Sequence, residues 1–151
     1  MNVKGYTIEP KAVLTEADLS GADLRRVDLT GANLARTNLR GTLLSGANLR
    51  GVDLREADLS GAILDGVSMG EANLSRSILR GANLTGADLQ EADLHGADLR
   101  GADLTGADLS EANLREARLR AAELTEADLH EADLTGADLT GATMADGSVH
   151  E

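Results

Sequence analysis

Apolar residues recur at every fifth position along almost the whole chain. In the stretch ADLHGADLRGADLTGADLS, residues 92–110, leucine returns every five residues and alanine stands two places before each leucine. Leucine or methionine holds this central position without a break from Leu14 to Met144. The residue two places earlier is always small or β-branched. The pattern predicts a single five-residue structural unit, repeated with no linker and no second domain.

A period of five fits neither an α-helix nor a long β-strand. Five residues advance a helix by about 500°, or about 140° beyond a full turn, so the leucines would point to all sides. Five is odd, so the leucines of a long strand would alternate between its two faces. Each pentad must therefore combine a short extended piece with a corner, so that every leucine meets the same interior. This is a solenoid, for which a fixed sequence period is the usual signature.

The corner residues indicate how many pentads make one coil. When the residue two places after each central leucine is sorted at a lag of twenty, residues of one type group into columns more clearly than at a lag of fifteen, which mixes them. One column reads Gly21, Gly41, Gly61, Gly81, Gly101, Ala121 and Gly141. We therefore predict an all-β solenoid with four pentads per coil, a square cross-section and about seven coils. The glycine column predicts corners that exclude a Cβ or need a positive φ.

Composition narrows the function classes. The chain has 151 residues, a formal net charge of -12, one tyrosine and no cysteine, phenylalanine or tryptophan. The core must be leucine and alanine, and cysteine-based metal or thiol chemistry is excluded. The acidic balance argues against direct nucleic-acid binding, which needs clustered lysine and arginine, but allows a protein partner with a basic surface.

The sequence offers no catalytic constellation. No Ser/His/Asp arrangement can be assembled from such regular columns, and no glycine-rich loop precedes a helix. His130 and His150 lie twenty residues apart with Glu131 and Glu151 beside them, which would make at best a weak metal site; exposed, unliganded histidines are the preferred interpretation. We expect no enzyme activity, no metal and no cofactor.

Outward positions predict one acidic strip. The residue before each central leucine must point outward, and the lag of twenty places aspartates of this type beside a column of corner glutamates. This acidic strip comprises Glu71, Glu91, Glu111, Glu131, Asp88, Asp108 and Asp128. One interpretation is a solvated face that keeps the rod soluble. The other is a docking face for a basic partner.

Two further surface features carry hypotheses. Arg40, Arg80 and Arg100 interleave with Asp58 and Asp98 on a different face, which predicts ion pairs between coils. Leu43 and Ile63 replace the outward Asp/Asn on adjacent coils, and Ile78 does so nearby. Isolated exposed apolar residues are ordinary, but three in neighbouring coils would form a small contact patch.

The segments ADLSGADL, GANLRGVDL and ADLTGADLTGA resemble the pentapeptide-repeat proteins, whose pattern is A(D/N)LXX. The resemblance covers about residues 12–144. It implies a right-handed quadrilateral β-helix. Most members of this family have no known biochemical role, but a few act as DNA mimics that bind DNA gyrase and protect it from quinolones. Those members are rich in central phenylalanine and carry a C-terminal dimerisation module, whereas this sequence has no phenylalanine and reads MADGSVHE after its last full pentad.

The ends of the array set the domain boundaries. We predict an N-terminal cap at residues 1–11, the repeat β-helix at residues 12–146 and a C-terminal tail at residues 147–151. The tail offers little to cover the last coil, which we expect to be frayed or buried in a homodimer through the C-terminal end. The N-terminus lacks an apolar signal-peptide core and no run is long enough to span a membrane, so a cytoplasmic location is expected.

Three functions remain open at this point. The first is a non-enzymatic protein-binding scaffold that uses the acidic strip, with Leu43 and Ile63 as further contacts. The second is a DNA mimic that inhibits or protects a topoisomerase such as DNA gyrase. The third is a purely structural rod without a partner.

Overall fold

The chain winds as one continuous array of short extended segments joined by turns. A computed structural model describes all residues from 1 to 151 and contains no helix. The named strands are β1 at Asn2–Val3 and β2 at Tyr6–Thr7, which pair antiparallel as an N-terminal hairpin. No helix that could cross a membrane is present. Beyond the hairpin, the repeats pair with one another through parallel bridges.

Every parallel bridge joins residues twenty positions apart, from Val13↔Asn33 to Glu123↔Thr143. One circuit of the backbone therefore takes four pentads. Each central residue from Leu14 to Leu124 donates its backbone N–H to the carbonyl nineteen residues later, at 2.7–2.8 Å. Each outward residue from Asn33 to Thr143 donates in the opposite direction, as Asn33 does to the carbonyl of Ala12 at 2.9 Å. These ladders satisfy the backbone polar groups that an irregular chain would leave exposed.

The interior of the rod is filled by the central leucines, and small side chains pack between them. Leu94, Leu99 and Leu104 are fully buried, as are the alanines between them to within 1%. Each buried leucine contributes roughly 1.5–3 kcal/mol before conformational entropy is subtracted. Where a hydroxyl replaces alanine, it is satisfied locally: Thr42 Oγ1 donates to the carbonyl of Leu39 at 2.8 Å, and Ser77 Oγ donates to that of Leu74 at 2.6 Å.

All the corners between pentads use the same backbone conformation. The N–H of each small residue donates to the carbonyl of the central residue three positions before it, as Ala17 does to Leu14 at 3.0 Å. The third residue of this turn has a positive φ, as a type II turn requires. Glycine takes φ values of 62–74° at these corners, while glutamate, arginine, lysine and alanine take 57–62°. Every corner therefore has the left-handed conformation, whichever residue occupies it, and the conformation is not limited to the glycine column.

Of the two alternatives for the glycine column, a corner with no room for a Cβ is wrong and a corner with a positive φ is confirmed. A Cβ built on Gly21, Gly41 or Gly61 would meet no atom within 4 Å. The positive φ was expected correctly, but Glu91 and Arg76 adopt it as well. Glycine at these corners reduces backbone strain and leaves the surface without side chains, but it does not avoid a clash.

The N-terminal hairpin packs on the first coil. Ile8 belongs to the core and is only 5% exposed. Val3 and Tyr6 are partly buried and pack against the same core. Lys4 Nζ donates to the carbonyl of Ser20 at 2.6 Å. These contacts cover apolar side chains that the first coil would otherwise expose.

The C-terminal residues are paired rather than frayed. Thr143 and Val149 form an antiparallel bridge, and His150 exchanges backbone hydrogen bonds with Gly141 and Ala142 at 2.7 and 2.8 Å. This pairing covers one side of the last coil. On the other three sides, no backbone acceptor lies opposite the amides of the central residues, and the side chains are only partly buried; these residues are Leu129, Leu134 and Leu139.

Candidate protein-binding surface

The outward Asp and Asn side chains close the turns as well as carrying charge. In most pentads the Oδ1 atom accepts the backbone N–H of the residue two positions later, as in Ser20 N to Asp18 at 3.0 Å and His130 N to Asp128 at 2.9 Å. This is an Asx turn. The charge pattern of the sequence predicts only a surface role for these residues. The constant two-residue spacing from the acceptor to the next corner was the signal that could have identified the turn.

The structure places the acidic strip as two neighbouring columns. Asp88, Asp108 and Asp128 lie in one parallel ladder. The glutamates occupy the adjoining corner, where the N–H of Glu91 donates to the carbonyl of Ser110 at 3.0 Å and that of Glu111 to the carbonyl of His130 at 2.8 Å. All four glutamates are exposed. The strip therefore presents carboxylates on successive coils about 4.8 Å apart.

Only one end of the acidic strip is paired with a permanently charged group. Arg50 pairs with Glu71 at one end, and His130 Nε2 lies 3.5 Å from Glu131 Oε1 at the other. Between these ends, Glu91 and Glu111 form no ion pair. The middle of the strip is thus an uncompensated negative surface.

Asp108 is held by hydrogen bonds. The Ser110 hydroxyl donates to it at 2.6 Å, the Ser110 amide at 3.0 Å and Gln90 Nε2 at 2.6 Å. The Ser110 hydroxyl is the main cause of the lowered pKa of this carboxyl, with the Ser110 amide and Gln90 adding to the effect. Asp108 consequently stays ionised in mildly acidic solution.

The arginine-bearing face has the opposite character. Arg40 pairs with Asp58 at 3.2 Å and Arg120 with Asp138 at 3.7 Å, each between successive coils. Asp98 lies 2.6 Å from Arg100 and 4.0 Å from Arg80. The ion pairs between coils that the sequence predicted are present. Each of these aspartates is matched by an arginine, whereas the exposed glutamates Glu56 and Glu116 at one edge of this face form no ion pair.

Charge is also distributed unevenly along the rod. Residues 1–60 contain eight basic and eight acidic side chains, whereas residues 61–151 contain six basic and eighteen acidic ones. No lysine or arginine follows Arg120. The whole net charge of -12 therefore lies in the later coils, which include the acidic strip. Counting charge by coil in the sequence would have shown this asymmetry.

The apolar outward residues fall on two different faces. Leu43 and Ile63 are bridged partners in one ladder, and both are half-buried. Ile78 lies instead in the ladder of Asp58 and Asp98, on the arginine-bearing face, and is 37% exposed. The expected three-residue patch is therefore a pair, with Ile78 separate from it.

Two further features bear on chemistry. No group of three or more His, Asp or Glu side chains is arranged to hold a metal ion. One shallow depression is present, lined by Asp23, Arg25, Arg26 and Ser45. Within it, both carboxylate oxygens of Asp23 are engaged by the guanidinium of Arg25 at 2.8 and 2.6 Å. The hydroxyl of Ser45 donates to Asp65 Oδ1 at 2.5 Å, and no histidine lines the depression.

The bridges twenty residues apart, the leucine column and the turn-closing Asp/Asn residues define a parallel β-solenoid built from five-residue units. The family model for pentapeptide repeats matches in eight copies, at residues 11–31, 32–70, 68–106 and 102–141. The chain belongs to the family of pentapeptide repeat proteins. No curated protein matches it.

Solved structures of the same family resemble the chain. A pentapeptide repeat protein from the Arabidopsis thaliana thylakoid lumen is 38% identical, with 68% of this chain and 71% of that one covered and a TM-score of 0.63. HetL, involved in heterocyst differentiation regulation in Nostoc, is 36% identical over 93% of this chain and 88% of its own, with a TM-score of 0.35. QnrB1, a plasmid-mediated fluoroquinolone resistance protein, is 22% identical over 88% and 73%, with a TM-score of 0.50. QnrB1 shares the fold.

Proposed function

We propose that this protein is a non-catalytic scaffold whose acidic strip binds a protein partner with a basic surface. The observation that carries the proposal is the contrast between two sides of one rod. The aspartates of the arginine-bearing face are matched within the chain, whereas Glu91 and Glu111 are exposed and unmatched on successive coils, beside a ladder of further aspartates. Aligned like charges destabilise a folded chain by mutual repulsion, and a basic partner would relieve this repulsion.

The rod geometry supports this role. The register of twenty residues is consistent with about seven coils that wind right-handed with a square cross-section, which is the shape we infer. Such a rod presents flat sides held by a continuous backbone ladder, so its surface charges are fixed in place before a partner arrives. Binding would then require little ordering of this protein.

The test is partner capture with two variants of equal net charge. In the strip variant, Glu71, Glu91, Glu111 and Glu131 are changed to Gln. In the control variant, four corner glutamates outside the strip are changed to Gln: Glu16, Glu56, Glu116 and Glu126. We expect a basic protein from the native host lysate to bind wild type and the control variant, to be lost from the strip variant, and to dissociate as salt is raised. Equal loss from both variants would contradict a localised strip.

A DNA mimic is the second candidate, favoured by the charge spacing of the strip. Seven carboxylates over four coils, each about 4.8 Å from the next, give roughly one charge per 2–3 Å, against about 1.7 Å for B-DNA. The local density approaches that of DNA even though the net charge of the rod is spread over several faces. A DNA-gyrase supercoiling assay with wild type and the strip variant tests this candidate. A strip-dependent change in supercoiling favours mimicry, and no change favours the scaffold.

A further inference from the structure

One side of the rod is nearly free of large or charged side chains. Its outward ladder runs through Leu43, Ile63, Asn83 and Asp103. The corners on both of its edges are glycine over the same coils, namely Gly41, Gly61, Gly81 and Gly101 on one edge and Gly46, Gly66, Gly86 and Gly106 on the other. We call residues 41–46, 61–66, 81–86 and 101–106 the smooth face.

The fold itself does not require these glycines. A Cβ at Gly61, Gly66 or Gly86 would meet no atom within 4 Å. The same backbone conformation is adopted by glutamate and arginine at the corners that flank the other faces, such as Arg76 and Glu91. Absence of side chains along both edges is therefore a property of the surface and not a packing requirement.

Leu43 and Ile63 replace residues that would close a turn. Elsewhere the outward Asp or Asn accepts the N–H two positions later, as Asn83 does from Thr85 at 3.0 Å. An apolar side chain cannot do this, so the amides of Ser45 and Asp65 lose that acceptor. The two apolar residues are instead direct bridge partners on the first two coils of the smooth face.

The smooth face adjoins the acidic strip. Five residues separate Asn83 from Asp88 and Asp103 from Asp108, and only the glycine corners Gly86 and Gly106 lie between the two ladders. The two acidic groups of the smooth face are engaged locally: Asp65 accepts the Ser45 hydroxyl at 2.5 Å, and Asp103 accepts the Thr105 hydroxyl at 2.6 Å. A partner can therefore lie across the corner without meeting a projecting side chain.

We propose that the smooth face and the acidic strip form one docking surface for a protein segment that carries apolar side chains next to lysines or arginines. This inference rests on the proposed function, because the acidic strip supplies the charge complementarity that selects a basic segment. The apolar side chains of the segment pack on Leu43 and Ile63, and its basic side chains reach Asp88, Glu91 and their neighbours one to three coils further along.

Anisotropy of fluorescein-labelled synthetic peptides tests the proposal. The first peptide combines leucines with lysines, the second has serine for each leucine, and the third has glutamate for each lysine. We expect the leucine–lysine peptide to bind wild type roughly tenfold more tightly than the serine–lysine peptide, since burying one large apolar side chain supplies about that factor. We expect no binding of the glutamate peptide.

The variant Leu43→Asp/Ile63→Asp should remove the advantage of leucine over serine. Aspartate is the family residue at this position and restores the turn acceptor, so the fold is preserved. The change also makes the protein more negative, so electrostatics alone would strengthen the binding of a lysine peptide, and a loss therefore reports the apolar contact. Ile78→Asp, on the arginine-bearing face, is the matched control and should leave peptide binding unchanged.

A second pair of variants tests the bare corner between the two surfaces. Gly86→Gln should weaken peptide binding, whereas Gly96→Gln, at a corner away from both surfaces, should leave it unchanged.

The outcomes separate the two proposals. If neither lysine peptide binds, the proposed function fails. If both lysine peptides bind equally and Leu43→Asp/Ile63→Asp has no effect, the proposed function stands and the smooth-face inference is overturned. Sedimentation velocity provides the remaining outcome: a wild-type dimer that Leu43→Asp/Ile63→Asp converts to a monomer would assign the smooth face to a second copy of this chain and would also overturn the inference.

Discussion

Asp98 binds Arg100 in two ways at once. Its carboxylate accepts the backbone N–H of Arg100 at 3.3 Å, and the guanidinium of the same arginine reaches both carboxylate oxygens at 2.8 and 2.6 Å. The hydrogen bonds from the Arg100 side chain are the main cause of the lowered pKa of Asp98. One residue thus closes a turn and anchors a surface ion pair.

This arrangement predicts how stability depends on pH. The pKa of Asp98 is lower in the folded chain than in the unfolded one, so its contribution is complete above the unfolded value of about 3.9 and is lost as the pH falls through the folded value. The pKa of Asp23 is lowered in the same direction, to about 2, chiefly by the Arg25 side chain. We expect the urea midpoint to be level between about pH 7 and 5 and to fall below about pH 4.

Asp98→Asn is the control for that prediction. Asparagine closes the equivalent turn at Asn38 and Asn48, so the turn should survive while the ionisable group is removed. We expect this variant to be less stable at pH 7 by about 1 kcal/mol. We also expect its urea midpoint to fall less steeply below about pH 4 than that of wild type. If the urea midpoint of the variant fell at low pH as steeply as that of wild type, Asp98 would not contribute to the acid-induced loss of stability.

Two glycines provide a matched test of backbone strain. Gly61 has a φ of 65° and open space around its Cβ position, whereas Gly70 lies outside the left-handed region and its Cβ would meet atoms at 3.7–3.8 Å. We expect Gly61→Ala to destabilise the fold by about 1 kcal/mol through strain alone. Gly70→Ala should be neutral or slightly stabilising, because alanine restricts the unfolded chain. Urea unfolding of both variants is the measurement, and the reverse order would contradict the strain argument.

The stability lost when a core leucine is truncated to alanine should be larger in the middle of the rod than at its end. Leu94 is fully buried between coils, so Leu94→Ala should cost about 2–5 kcal/mol. Leu134 is only partly buried in the last coil, and Leu134→Ala should cost less than half as much. Hydrogen exchange should show loss of protection centred on the altered coil, as expected when each repeat contacts only its neighbours. Equal costs at both sites would mean that Leu134 is covered in solution.

The last coil allows a test of self-association. Its open backbone edge is the place where we propose that two copies would stack. Eight carboxylates and no lysine or arginine follow Arg120, so two such ends repel each other. We therefore expect any dimer formed through this end to become more populated as salt is raised, since screening weakens the repulsion. Light scattering across a salt series is the measurement, and a dimer that dissociates in salt would point to a different interface.

The fold was predictable because its signal is repeated in every pentad. The period of five excluded an ordinary helix or strand, and the columns of corner residues predicted the register of twenty that the bridges show. The position of the acidic strip followed from the same register. Its capacity to bind a partner is not decided by placement, because a solvated face and a docking face have the same pattern of charges.

Other features could not be predicted from periodicity. Whether Glu91 is paired depends on which side chain lies one coil away and on its rotamer, as the pairing of Glu71 with Arg50 shows. The Asx turns needed the corner geometry before their two-residue spacing had a meaning. The pairing of Val149 with Thr143 falls outside the repeat, so no column predicted it.

The register of twenty residues also constrains how genes for such proteins can change length. Deleting or duplicating a single pentad would leave every leucine inside, but it would shift all later residues to the next side of the rod. The Glu91 and Glu111 corner would then no longer continue the line begun by Glu71. Only gains or losses of whole circuits keep surface residues in line, so insertions that preserve function should accumulate in multiples of twenty codons.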